Sequence, residues 1–159
     1  MPRALALAVR WRWPVLLAWA AGWLIARHGV VGDWSFFEQS GQLLRGHRPL
    51  SLYAGHPRIQ IGPLALVAAL PLTGHGSVLP QAVIYALGLL ALRAVELCSP
   101  EDQARALLVG GLLAVPCWAF VATSGHLDDA LVTVFTVLAA LAVLRHRPAW
   151  AGLLVGAAL

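Results

Sequence analysis

Long apolar runs alternate with short polar islands along this 159-residue chain. The first run, 11–31, carries Trp11, Trp13, Trp19 and Trp23, the kind of aromatic anchor that favours a membrane–water boundary. Arg27 and His28 near its far end can extend toward head groups. Runs 78–97 and 104–123 are each long enough for the roughly 20 residues a spanning helix needs. Pro116 predicts a kink in the second of them. Run 130–144 spans with help from its flanks, and run 149–159 reads as the start of a further helix. That final run is shorter than a span, so the chain is expected to be the N-terminal part of a longer polypeptide.

The longest polar interruption is 32–60. Ser35 and Glu38 make the S-x-x-E pattern of a capping box. Trp34, Phe37, Gly41 and Leu44 recur at helical spacing, and Gly46 supplies a stop. The spacing predicts a surface helix over about 36–45. The segment 61–76 that follows is apolar over 61–72 but contains Pro63 and Pro71 and is too short to cross, which predicts an interfacial or re-entrant segment. The polar island 124–129 separates the third span from the fourth. The fold class this implies is an all-α polytopic membrane protein, one transmembrane domain over 1–159. It would have about four to five transmembrane helices, a surface helix and a re-entrant segment in the first outer loop.

Composition supports that reading. The chain is 60% hydrophobic and 11% charged, with a mean hydropathy of +0.77, against roughly 25% charged residues in soluble domains. All 11 basic residues are arginine. If 61–76 does not cross, Arg3, Arg10, Arg12, Arg93, Arg105, Arg145 and Arg147 share the inner face, and Arg27, Arg45, Arg48 and Arg58 share the outer one. If it crosses, the excess reverses, against the positive-inside rule. The first topology also puts Asp33, Asp128 and Asp129 on one outer face. The N-terminus imitates a signal peptide, but no small-x-small cleavage site precedes a polar start, which favours an uncleaved first helix. No basic face with interleaved aromatics suggests a nucleic-acid partner. Cys98 and Cys117 have no metal-ligand spacing and read as small buried apolar residues.

The chemistry-bearing residues cluster in the two outer islands. Asp33 follows the first span and is either a helix-start residue or a functional carboxylate. Glu38 is accounted for by the capping box. Asp128 and Asp129 open a membrane helix, where one carboxylate would serve as a cap, so a pair at membrane depth points to function. His126 beside them could bond locally. Arg45, Arg48 and Arg58 lie on the face where topology needs no arginine. Guanidinium groups suit phosphate, from lipid or substrate, and Arg58 is the candidate for a substrate phosphate. Tyr53 could be an interface anchor or a sugar-stacking platform.

The order of Asp33, a helix ending L-L-x-G at Leu43 to Gly46, then Pro49, Leu52-Tyr53 and Gly62-Pro63-Leu64, resembles the first outer loop of the GT-C superfamily of polytopic glycosyltransferases, especially actinobacterial enzymes that use polyprenyl-phosphate mannose. G-H-L-D-D at 125–129, followed by the R-x-R-P-x-x-A-G pattern from Arg145, is similar to their second outer loop and next helix pair. Gly62 stands where that family usually has a proline, and the first loop lacks D-x-D, so a divalent metal is not expected, nor any other cofactor. The resemblance implies a multi-pass enzyme of a bacterial plasma membrane. It would move a sugar, mannose in the closest pattern, from a polyprenyl-phosphate donor to a glycan or glycolipid acceptor on the outer face, with inversion. Asp33 would be the general base, and Arg58, Tyr53, His126, Asp128 and Asp129 would bind substrate. A transporter-type fragment or a structural membrane subunit without chemistry is the alternative reading.

Overall fold

The structure is a computed structural model that describes residues 3–27, 32–46, 52–56, 61–98 and 103–158. Among these residues every regular element is helical. Helix α1 is Arg3–Arg10, α2 Arg12–Arg27, α3 Trp34–Leu44, α4 Leu52–Gly55 and α5 Pro63–Ala69, which tightens into a 3-10 turn at Leu70–Leu72. Then come α6 Val78–Cys98, α7 Ala104–Ser124, α8 Leu127–Leu144 and α9 Pro148–Ala158. Helices α6, α7 and α8, of 21, 21 and 18 residues, are long and apolar enough to cross a membrane. Helix α5 and its 3-10 turn end after 10 residues in all, from Pro63 to Leu72, far short of the roughly 20 a span requires.

The first apolar run is helical from Arg3, earlier than its hydrophobic pattern suggests. The hydrogen-bond ladder runs through Trp11, which donates to Leu7 and accepts from Val15. The break falls where Pro14 has no N–H to offer the carbonyl of Arg10.

Helix α6 is the centre of the bundle. Its buried positions Pro80, Gln81, Ile84, Tyr85, Gly88, Ala91 and Ala94 form one stripe at helical spacing. It packs against α2, α7 and α8, while α9 folds back on α8. Small residues let these helices approach. A Cβ at Gly88 would overlap the Trp118 indole, and one at Gly111 would lie 2.7 Å from Leu16. Pro116 sits inside α7 and cannot donate to Leu112 four residues earlier. The indole of Trp19 on α2 donates to that carbonyl instead, at 3.1 Å.

The two ends of the bundle are distinguishable by their polar contacts. At one end Glu96, near the close of α6, accepts from Arg12 Nε at 2.7 Å and from the Trp13 indole at 2.9 Å. Arg93 pairs with the same carboxylate and its guanidinium lies over the Trp13 ring. At the other end lie α3, α5 and the α7–α8 turn. Both limits of 61–76 are at this second end: the Tyr53 hydroxyl donates to the Ile61 carbonyl at 2.8 Å, and Glu38 of α3 takes the Gly74 N–H.

Helix α3 buries Trp34, Phe37, Ser40 and Gly41, the face its periodicity marked. Trp34 and Phe37 stack with centroids 5.3 Å apart, and Gly41 admits Thr73 to within a distance no Cβ would allow. Trp34 and Phe37 join Leu66, Leu72, Ile84 and Leu127 in one apolar cluster, so the helix is built into the core of that end and does not lie free on its surface.

Candidate functional site

The site is assembled by the end of α7. Gly125 adopts φ 79° and closes the helix with its N–H on Ala122, while His126 N–H returns to Val121. This is the paired hydrogen-bond pattern of a Schellman ending, and only glycine enters the left-handed region at little cost. The last carbonyls of α7 would otherwise lack partners. The first loop supplies them: Gly32 N–H donates to Thr123 at 3.2 Å and Asp33 N–H to Ser124 at 2.6 Å. The approach is close enough that a Cβ on Gly125 would lie 2.6 Å from the Trp34 nitrogen, and one on Gly32 would lie 2.8 Å from the Ser124 oxygen. Backbone bonding alone therefore locks the two polar islands together.

On this base the side chains converge. His126 Nε2 lies 3.5 Å from Asp33 Oδ2, and His126 Nδ1 lies 3.8 Å from Asp129 Oδ2. The imidazole thus stands between a carboxylate of the first island and one of the second. Asp33 and Asp129 are more than half exposed, at 55% and 68% of their side chains, and can meet a ligand. Asp128 is partly buried, and its Oδ1 has no hydrogen-bond partner among the described residues. His126, Asp128 and Asp129 offer ligand atoms within 4.8 Å of one another, a group able to hold a divalent cation.

A cleft of about 310 Å³ opens beside the pair Asp128 and Asp129. Its other walls are Gly62 to Ala65 of the α5 start and Gly156 to Ala158 of α9. Pro63 at the first turn of α5 has its fixed φ where a helix begins and no N–H to leave unpaired.

Several expectations change. The capping box is not formed: Asp33 occupies the N-cap of α3, Ser35 lies inside the helix, and no side chain caps it. Glu38 is structural for a different reason, since its carboxylate takes the Trp34 indole N–H at 3.1 Å and the Gly74 N–H at 3.0–3.1 Å. Asp128 and Asp129 do not cap α8 either. His126 holds that N-cap position, and the two carboxylates lie in the first turn, where the helix dipole favours them. Arg45 donates to the Leu70 carbonyl at 2.6 Å, tying α3 to the 3-10 turn. Tyr53 remains exposed, its hydroxyl held by Ile61, and partial burial pushes its phenol above the ordinary value. Arg48 and Arg58 lie outside the described residues.

Glu96 and its partners escaped sequence reasoning. Arg12 and Trp13 are more than 80 positions away in the chain, and only an acidic residue among inner-face arginines hinted at a pairing. Comparison with known protein families, with curated proteins and with solved structures gives no match.

Proposed function

We propose that the chain is a membrane glycosyltransferase, with mannose the candidate sugar. In this reading α2 crosses the bilayer together with α6, α7 and α8, and the end bearing Asp33 faces outward in a bacterial plasma membrane. The arginine distribution favours this orientation, because Arg12 and Arg93 share the Glu96 end.

The observation that carries the reading is the backbone lock between Asp33 and Ser124. It sets a carboxylate of the first loop beside His126 and Asp129 of the second, next to a cleft that runs into apolar wall. An inverting transfer needs such an arrangement. Asp33 accepts the proton of an acceptor hydroxyl as the hydroxyl oxygen bonds to the anomeric carbon. The bond from that carbon to the phosphate oxygen breaks on the opposite face, and the polyprenyl phosphate leaves with the electron pair. His126, between the two carboxylates, holds Asp33 in place and, when protonated, balances its charge. Arg58 is the proposed partner of the leaving phosphate. The assignment of reaction class rests on the family resemblance.

The test is a transfer assay in membranes from cells expressing the natural full-length chain. Radiolabelled polyprenyl-phosphate mannose is the donor and a synthetic alkyl mannoside the acceptor. Chain-dependent product of inverted configuration is expected. Retained configuration, or the same product from membranes lacking the chain, would reject the mechanism.

A further inference from the structure

A second hollow lies along the bundle, away from the carboxylates. On α6 it is lined by Tyr85, Gly88, Leu89, Leu92 and Val95, positions three or four apart that share one face of the helix. Its length from Tyr85 to Val95 is about 15 Å at 1.5 Å per residue. Trp118 of α7 and Val137 of α8 form the facing wall, and the volume is about 200 Å³. The space is therefore a slender groove parallel to α6, with almost wholly apolar walls. Leu89, Leu92 and Val137 are half-buried, so the groove opens on the outside of the bundle. An apolar hollow of this size does not hold water, and left empty it deprives its walls of packing contacts. With α6, α7 and α8 across a membrane, the groove lies along the direction in which lipid chains run. The end at Val95 adjoins the Glu96 cluster. There Arg12 and Arg93 share one carboxylate, which leaves one positive charge in excess. The Arg93 side chain is 51% exposed, and a guanidinium has five N–H donors, more than Glu96 uses. Such a charge near the membrane surface attracts anionic lipid.

We infer that this groove holds one acyl chain of an anionic phospholipid, drawn from the leaflet on the Glu96 side, with its phosphate on Arg93. The chain fills the space between α6, α7 and α8. This lipid is a resident of the fold and not a substrate, because its head group lies at the end of the bundle opposite Asp33. The inference needs these helices in a membrane and is independent of sugar transfer.

The probe is phosphatidylglycerol with a photoreactive diazirine midway along one acyl chain. It is added to phosphatidylcholine nanodiscs that carry the natural full-length protein. After illumination, mass spectrometry should place the adduct within 85–95, at Trp118 or at Val137. Phosphatidylcholine bearing the same diazirine should label these positions severalfold less. Arg93→Gln leaves Arg12 and Glu96 as a neutral pair and should remove that difference between the lipids. Ala114→Phe places a ring in the groove that Ala114 lines and should reduce the adduct from either lipid severalfold. Equal labelling by the two lipids in the unaltered protein overturns the inference. So does labelling centred on outward-facing positions such as Leu113 and Phe120, or labelling that neither substitution changes.

Discussion

The indole of Trp19 donates to the carbonyl of Leu112, the one group in α7 that Pro116 deprives of its helical donor. In lipid an unpaired carbonyl has no water to turn to, so the donor missing from one helix is supplied by a side chain of another. Trp19→Phe should lower stability by about 1 kcal/mol. Pro116→Ala restores a donor within α7, so in that background the same change should cost clearly less. Thermal unfolding of the four proteins in one detergent gives the coupling. An equal cost of Trp19→Phe in both backgrounds would show that the indole contributes by packing alone.

Gly125 is held in the left-handed region with the first loop packed on it. Gly125→Ala should destabilise the chain by at least about 1–2 kcal/mol from backbone strain alone. It should also loosen Asp33 from Ser124, which amide hydrogen exchange at Asp33 would detect. Unchanged protection there would mean that the lock does not depend on this turn.

Asp33 and Glu38 lie on the same short helix or its cap and should respond differently. Asp33→Asn keeps the shape of a residue whose side chain caps nothing. If it is the base, turnover falls by about 10²–10⁴-fold with expression unchanged. Glu38→Gln weakens the hold on Gly74 and Trp34. It should lower thermal stability while most turnover remains. The reverse pattern would assign the base to another carboxylate, Asp129 first.

Helix α3 was legible, though not its place in the core, because Trp34, Phe37 and Gly41 repeat at a period the sequence carries openly, and all three are buried. Its start was misread for a physical reason. Ser35 and Glu38 satisfy the local capping pattern, but the chain entering α3 is bonded to the end of α7, 91 positions further on, and that sets where the helix begins. The same limit applies to Glu38, whose real partner Gly74 is 36 residues away. The acidic islands could be placed at one end by counting arginines. The imidazole standing between them could not, because it depends on the turn geometry of Gly125. Pro116 announced a missing backbone donor, and nothing local announced Trp19.

Asp33 and Asp129 flank one imidazole, so cysteines at the two positions should react with a membrane-impermeant thiol reagent from the same side of sealed cells. Cys98 and Cys117 are free and must first be replaced. Cysteine at the exposed position of Arg10 should react only after the membrane is opened. Labelling of the two site positions from opposite sides would be incompatible with the arrangement.

Arg12 and Glu96 are 84 positions apart, and synthesis at roughly 5–20 residues per second separates their emergence by about 4–17 s. During that interval the Arg12 charge has no Glu96 to meet and is free to act as an orientation signal for the helix it begins. Once Glu96 is made, the same charge is absorbed into a contact between α2 and α6. In the proposed topology one residue thus serves the newborn chain as an address, and in the finished fold it is a fastening.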